Sequence, residues 1–157
     1  MKERRKENIN RGIALDKEVQ MFFKCVSWGE DYSNLDKFPE ELAPFLSYPL
    51  VQNAIKQGKW SCQKPCSMVQ DDILYRGVVD LILLDRVYDI KCSELKANEL
   101  AAHYLPQIIG YCVALNLLPG GLFVYNPSLN IWFHIDMKPV ANSLQEVKRV
   151  WNALMRI

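Results

Sequence analysis

The sequence has few of the features that mark a membrane, secreted or repetitive protein. Its 157 residues contain no apolar run near the ~18 residues that a membrane span needs, and residues 1–12 are charged where a secretory signal would be apolar. No internal repeat and no linker rich in glycine or serine is present. These absences predict an intracellular protein without a membrane partner, folded as a single domain over residues 1–157.

Neither sign of charge dominates the chain. Lysine and arginine number 19 against 18 aspartate and glutamate residues, so the net charge of +1 does not point to a nucleic-acid partner. The distribution is uneven, because residues 1–11 hold five cations against two anions. We expect residues 1–9 to form a flexible, solvated basic arm, and the alternative is an arm that contacts phosphates.

The five cysteines do not follow a disulfide or zinc pattern. An odd number of cysteines, without a signal peptide, favours reduced thiols inside a cell. Cys62 and Cys66 have a spacing that zinc tolerates, but no second pair matches them, and His103 and His134 lie far along the chain. The sequence therefore gives little support for a structural zinc site or an iron–sulfur cluster.

Hydrophobic periodicity predicts helices, three strands, a helix, two strands and a final helix. At ~100° per residue, the apolar positions of residues 10–28 fall on one face of a helix, and so do those of residues 140–155. Pro106 is expected to break the helix predicted for residues 97–118. Short helices are expected in 40–58, and strands in 60–69, 73–84, 87–92, 122–126 and 130–136. This order predicts an α/β (α+β) fold with a mixed sheet flanked by helices.

The hairpin predicted for residues 73–92 carries the most informative charged residues. A two-residue turn at Asp85–Arg86 would place Lys91 directly across from Asp80, with Asp89 as the diagonal neighbour of Asp80. Because side chains alternate along a strand, we expect Asp80, Asp89 and Lys91 on one face of the sheet. Two acids and a lysine among apolar residues are costly to bury without a function.

A hard divalent cation would account for these acids. Mg²⁺ binds in proteins through one or two carboxylates together with substrate phosphates. A lysine beside such a site can assist proton transfer or balance charge that builds up on a phosphate. The pattern therefore fits metal-assisted phosphodiester hydrolysis. The alternative is a solvent-facing salt bridge on an edge hairpin, since such pairs are common and nearly neutral in energy.

Three motifs in order resemble those of a known nuclease superfamily. They are Gly77-Val78-Val79-Asp80, Asp89-Ile90-Lys91 and Gln107-Ile108-Ile109-Gly110-Tyr111. This series is similar to the G-x-x-D, D/E-x-K and Q-x-x-x-Y motifs of the PD-(D/E)XK nuclease superfamily, specifically its RecB-like exonuclease branch. The resemblance implies a restriction-endonuclease-like αβββαβ core.

The resemblance also implies roles for the motif residues. Asp80 and Asp89 would be catalytic metal ligands for Mg²⁺ or Mn²⁺, and the backbone carbonyl of Ile90 would complete the set of ligands. Lys91 would be the catalytic lysine. Gln107 and Tyr111, one helical turn apart, would contact the DNA backbone or support the site.

Two further positions are candidates for the same site. The segment from Gly12 to Asp16 resembles the G-x-x-x-H motif of the branch, with aspartate where histidine is usual, and a carboxylate can still bind Mg²⁺ or Mn²⁺. Asp16 is favoured over Glu18 because it lies one turn from Gly12, where a close backbone approach is possible. Arg76 could reach a phosphate or could pair with a neighbouring acid.

The predicted function is hydrolysis of phosphodiester bonds in DNA by a metal-dependent nuclease, an exonuclease of RecB-like type acting in DNA repair or recombination. The expected partner is single- or double-stranded DNA, with a homo-oligomer or a larger replication or recombination complex as a further possibility. One alternative is a non-catalytic module that uses a nuclease fold to bind nucleic acid or protein. Another is an RNA endonuclease.

Overall fold

The computed structural model describes residues 2–27 and 40–156, and it confirms the predicted order of elements. Residues 28–39 lie outside the described residues. The helices are α1 (Lys2–Ser27), α2 (Ala43–Leu46), α3 (Pro49–Gln57), α4 (Ala97–Leu115) and α5 (Leu144–Met155). The strands are β1 (Trp60–Gln70), β2 (Ile73–Leu83), β3 (Arg86–Cys92), β4 (Leu118–Asn126) and β5 (Ile131–Asp136).

The strands of the described residues form one mixed sheet in the order β1-β2-β3-β4-β5. β3 and β4 are parallel, and the other neighbouring pairs are antiparallel. A parallel pair needs a crossover connection, and α4 provides it between β3 and β4. The α+β fold with helices flanking a mixed sheet is therefore confirmed.

Two hydrophobic clusters hold the helices to the sheet. In the first, α1, α2 and α3 pack on side chains of the sheet, and four predicted positions of α1 are buried: Leu15, Val19, Phe22 and Phe23. In the second, α4 and α5 pack on the sheet, with Val147 and Trp151 buried from α5. Ser143 begins α5 by accepting a hydrogen bond from the backbone N–H of Glu146, as expected for an N-terminal capping residue.

α1 begins earlier than the sequence predicts. It starts at Lys2, so residues 2–9, predicted as a flexible basic arm, are helical. Lysine, arginine and glutamate are good helix formers and supply most of this segment. The first buried residue is Leu15, and both Ile9 and Ile13 are exposed. The basic end of α1 therefore extends beyond the part of the helix that packs on the core.

The prediction that Pro106 breaks the helix is wrong. α4 runs through Pro106 without interruption, although an internal proline removes a hydrogen bond and costs about 3 kcal/mol. Leu100 before the proline and Ile108 and Ile109 after it are fully buried in the second cluster, and this packing stabilises the helix on both sides of the proline. The helix ends at Leu115 because Asn116 takes a left-handed conformation with φ of 54°.

The predicted register of the β2–β3 hairpin is also wrong. Leu83 pairs with Arg86, so the turn consists of Leu84 and Asp85, and Leu84 has φ of 57°. This register, extended past its last pair, brings Asp80 across from Asp89 rather than Lys91. A shift by two residues keeps the same faces and changes the partners.

None of the helices in residues 2–27 and 40–156 combines the length and apolar character needed to cross a membrane.

Candidate active site

Asp80 lies where the pairing between β2 and β3 ends. The last paired residues are Leu81 and Tyr88, and beyond them the Oδ2 atom of Asp80 accepts a hydrogen bond of 3.0 Å from the backbone N–H of Ile90. On the other side, the amide of Gln63 is 3.4 Å from Oδ1 of Asp80, and Gln63 has φ of 56°. The two strands beside Asp80 thus orient its carboxylate through one backbone and one side-chain donor.

Asp89 is a buried acid next to a lysine. The residue is only 3% exposed, and Nζ of Lys91 lies 2.8 Å from its Oδ2 atom. A buried carboxylate is costly unless it is paired, and the Lys91 ammonium supplies that pairing charge to Oδ2 of Asp89. A metal ion at this oxygen would therefore have to share the carboxylate with Lys91.

The acids of this site make one another harder to ionise. Burial, reinforced by the neighbouring Asp89 carboxylate, raises the pKa of Asp80 from 3.8 to about 8. Burial also raises the pKa of Asp16 to about 6, with a further increase from the charge of Asp89 and an opposing effect of Lys91. A divalent cation bound between these carboxyl groups would favour their ionised forms and lower their pKa values.

α1 brings Asp16 within electrostatic reach of Asp89 and Lys91. This agrees with the choice of Asp16 over Glu18, but the reason given from Gly12 does not hold. A Cβ atom at Gly12 would lie 3.6 Å from Cβ of Cys92, which is an ordinary contact that alanine could also make. The approach of α1 to the end of β3 therefore does not require glycine.

Lys91 is held between Asp89 and an aromatic ring. Its Nζ atom lies 4.3 Å from the centre of the Tyr104 ring, a cation–π geometry. Burial by itself would lower the pKa of Lys91, but the charge and hydrogen bond of Asp89, together with the charges of Tyr104 and Asp80, raise the pKa above 10.5. Lys91 is thus a protonated, partly buried ammonium group at neutral pH.

Tyr104 is a site residue that the sequence reasoning missed. Its position on α4 precedes Gln107 by three residues and Tyr111 by seven, a spacing that places all three on one face of the helix. That spacing was a usable signal, but a tyrosine on a helix is more often a packing residue. Its contact with Lys91 becomes visible only when α4 is packed on β3.

Gln107 and Tyr111 form a pair beside the acids. Nε2 of Gln107 donates a hydrogen bond of 2.9 Å to the Tyr111 hydroxyl. Burial raises the pKa of Tyr111, the bond from Gln107 opposes this, and the charges of Asp89 and Asp80 raise it further. The ring of Tyr111 lies against Gly77, where an added Cβ would be 2.5 Å from Cε1 of the ring. The glycine of the first motif therefore makes room for the tyrosine of the third.

The remaining predicted residues occupy less constrained positions. Arg76 is exposed on β2 and borders a cavity that Gln107 and Tyr111 also line. The backbone N–H of Ile90 is bound to Asp80, as described above, and metal binding through its carbonyl oxygen stays a prediction.

The donor set suits a hard cation better than zinc. In the described part of the chain, no group of three or more histidine, cysteine, aspartate or glutamate side chains is arranged as a ready metal site. Asp80 and Asp89 supply two carboxylates, which is the usual protein contribution to a Mg²⁺ site. Burial, followed by the charges of Asp80 and Asp16, raises the pKa of Cys62 to about 11, so its thiol does not favour zinc.

Comparisons with known proteins give limited information. No protein-family model matches the chain, and no curated protein matches it. Among solved structures, the chain is similar to SSO0001, with 15% identity over 90% of this chain and 70% of that chain and a TM-score of 0.39. A likeness at this level carries no argument about the activity of this chain.

Proposed function

We propose that this chain is a divalent-metal-dependent deoxyribonuclease of the RecB-like type, within the PD-(D/E)XK superfamily. The observation that carries the proposal is the cluster formed by the buried Asp89, the Lys91 ammonium 2.8 Å from its Oδ2 atom, and the neighbouring Asp80 carboxyl group. Asp80 adds a second, partly buried carboxylate whose ionisation Asp89 opposes. The order of the three sequence motifs supports the same assignment.

In this proposal Asp80 and Asp89 hold Mg²⁺ or Mn²⁺, assisted by Asp16 and the Ile90 carbonyl. The cation supplies Lewis-acid activation of water and neutralises charge on the phosphate. The water oxygen would bond to phosphorus and release a proton to solvent, the bond from phosphorus to the leaving sugar oxygen would break, and that oxygen would take up a proton from solvent.

Lys91 stabilises charge in this reaction rather than acting as the base. Its raised pKa keeps it protonated at neutral pH, and Asp89 and Tyr104 hold its ammonium group in place. A fixed positive charge in a partly buried site interacts strongly with the extra negative charge of a phosphorane-like transition state. Gln107 and Tyr111 act as positioning residues that support the sheet beside the acids.

DNA is the proposed partner, in single- or double-stranded form. The net charge of +1 offers little general attraction, but Lys2, Lys6 and Arg11 are exposed along the N-terminal part of α1. Cations on one helix can contact successive phosphates and make binding depend on salt. A homo-oligomer, or a larger replication or recombination complex, would add further phosphate contacts.

A cleavage assay tests the proposal. Linear, nicked and single-stranded DNA, with RNA as a further substrate, are incubated with Mg²⁺ or Mn²⁺ and with EDTA as control. We expect EDTA to abolish cleavage and Lys91→Ala to reduce the rate about 10²- to 10³-fold, as for the loss of other charge-stabilising groups. Lys96→Ala, at an exposed lysine before α4, is the matched control and should cleave normally.

The second candidate is a non-catalytic module that binds nucleic acid or protein. It is favoured by the ion pair itself, since the Lys91 ammonium lies where it competes with a cation for Oδ2 of Asp89. This candidate predicts no cleavage by the wild type with either metal, together with DNA binding that survives Asp80→Ala. Cleavage of RNA but not of DNA would instead support the RNA endonuclease.

A further inference from the structure

A cavity of about 300 Å³ opens beside the proposed active site. It lies between the β1–β2 hairpin, α4 and α5, and we call it the α4–α5 cavity. Met68, Tyr75, Gly110 and Trp151 form much of its wall, and Arg76 and Gln107 contribute polar groups. Its volume is at the lower end of the range for small-molecule sites, which suits a single ring system rather than a larger ligand.

The aromatic wall of the α4–α5 cavity is held in place by specific contacts. The rings of Tyr75 and Trp151 meet edge to face, with centroids 6.0 Å apart and planes at 86°. The indole N–H of Trp151 donates a hydrogen bond to the side chain of Gln70. A Cβ atom at Gly110 would lie 3.1 Å from Cζ3 of Trp151, so the absence of a side chain there lets the indole approach α4 closely.

Tyr111 lies between the α4–α5 cavity and the acidic site, because it lines the cavity and feels the charges of Asp89 and Asp80. The Tyr111 side chain lines the cavity, packs on Gly77, and has a hydroxyl that accepts the Gln107 amide. Gly77 precedes Asp80 by three residues on β2, a distance of about 10 Å along a strand. Arg76 is exposed and borders the cavity, so its flexible guanidinium group would be within range of a phosphate of a bound strand.

We propose that the α4–α5 cavity binds a nucleobase of the strand being cut, from a nucleotide close to the scissile phosphate. This inference rests on the proposed nuclease function and adds its substrate class. Aromatic side chains bind bases of any sequence by stacking. Trp151 is buried, so the partly exposed ring of Tyr75 would stack on the base, and Arg76 would contact the phosphate of the same nucleotide. A base inside a duplex cannot enter such a cavity, so the enzyme prefers single strands or frayed ends.

Abasic substitutions test the inference on the unmodified protein. A series of single-stranded oligonucleotides, each with one abasic nucleotide at a successive position, is bound in EDTA and followed by fluorescence anisotropy. Cleavage with Mg²⁺ then maps the cut relative to each substitution. We expect one position near the cut to weaken binding about tenfold, within the range for losing one stacked base. The other positions should bind within about twofold of the intact oligonucleotide.

A filled cavity provides the second measurement. Ala114→Leu adds bulk to the cavity wall on α4, and Ala102→Leu makes the same change at an exposed position of that helix outside the cavity. We expect Ala114→Leu to remove the difference between intact and abasic oligonucleotides, and Ala102→Leu to preserve it.

The outcomes separate this inference from the nuclease proposal. Metal-dependent cleavage with equal binding of every abasic oligonucleotide would overturn the base-binding cavity and leave the nuclease intact. If Ala114→Leu still binds the abasic oligonucleotide more weakly than the intact one, by the same factor as the wild type, the base binds outside the α4–α5 cavity. Absence of both cleavage and binding would overturn the two proposals together.

Discussion

The first three strands and the turn between β1 and β2 carry two pairs of aspartates, one exposed and one at least partly buried. Asp71 and Asp72 form the exposed turn between β1 and β2, with φ of 52° and 62°. Asp80 and Asp89 lie where β2 and β3 separate, and Asp89 is only 3% exposed. Asp71 and Asp72 allow the chain to form the tight turn, because aspartate tolerates left-handed conformations better than most residues. Asp80 accepts one backbone hydrogen bond, from Ile90, but Asp89 accepts none from the backbone of the described residues and is buried beside Lys91. This contrast is the physical basis for assigning the second pair a chemical function.

The largest expected effect is on cleavage. Asp89→Ala removes the buried carboxylate and should reduce DNA cleavage by about 10³-fold, while Asp72→Ala should leave the rate within about twofold. Both rates are measured with Mg²⁺ on the same labelled substrate. If Asp72→Ala reduced the cleavage rate as much as Asp89→Ala, the different environments of the two aspartate pairs would not reflect a difference in function.

The second prediction concerns the glycine beside Tyr111. Gly77→Ala places a Cβ atom 2.5 Å from the Tyr111 ring and should destabilise the protein by about 1–3 kcal/mol through overpacking. Thermal unfolding should show a fall of about 2–4 °C per kcal/mol for a chain of this size. Gly12→Ala is the control, since its Cβ would make an ordinary contact within a helix and should not lower stability. A Gly77→Ala protein as stable as the wild type would contradict the packing of Tyr111 on β2.

The third prediction concerns pH in the absence of metal. The pKa of Asp80 is raised by folding from 3.8 to about 8, so the folded state binds the proton more tightly than the unfolded state. This contribution to stability is complete below pH 4 and is lost as the pH rises through about 8. In EDTA, Asp80→Asn should therefore be more stable than the wild type at pH 8.5, and its advantage should shrink at pH 5.

The matched control for this pH dependence is Asp72→Asn. Because Asp72 is exposed at the hairpin tip, the difference in melting temperature between this variant and the wild type should be the same at both pH values. If the melting temperature of Asp80→Asn differs from that of the wild type by the same amount at pH 8.5 and pH 5, folding does not raise the pKa of Asp80.

The smallest expected effect is at Tyr104. Tyr104→Leu removes the ring that faces the Lys91 ammonium, an interaction of about 0.5–2 kcal/mol, and should lower kcat about 3- to 10-fold with little change in KM. Tyr104→Phe keeps a ring face and should retain most of the activity. Loss of activity in Tyr104→Phe equal to that in Tyr104→Leu would show that the hydroxyl, rather than the ring, is needed.

The sequence predicted the elements and their order better than their precise pairing. Strong periodicity in α1 identified Leu15, Val19 and Phe22 as core positions, and they are buried. The hairpin register was missed because the turn uses Leu84 in a left-handed conformation, which leucine rarely adopts and local preference cannot indicate. Pro106 inside α4 was missed because tertiary packing outweighs its local cost.

In the candidate site, too, local features were predicted better than contacts between distant segments. Strand alternation correctly places Asp89 and Lys91 on one face of β3. Alternation is interrupted at Asp80, because Val79 packs in the second cluster and Leu81 in the first, and strand periodicity does not predict this irregularity. The contact of Tyr104 with Lys91 and that of Tyr111 with Gly77 depend on how α4 crosses the sheet. Such contacts between distant segments have no signature in the local sequence.

The most direct test of the account is the affinity for Mn²⁺ measured by isothermal titration calorimetry. Wild type and Asp72→Asn should bind the ion with the same affinity, and Asp89→Asn, which preserves the shape of the side chain, should bind it at least about tenfold more weakly. Unchanged Mn²⁺ affinity in Asp89→Asn would contradict the assignment of Asp80 and Asp89 as the metal ligands.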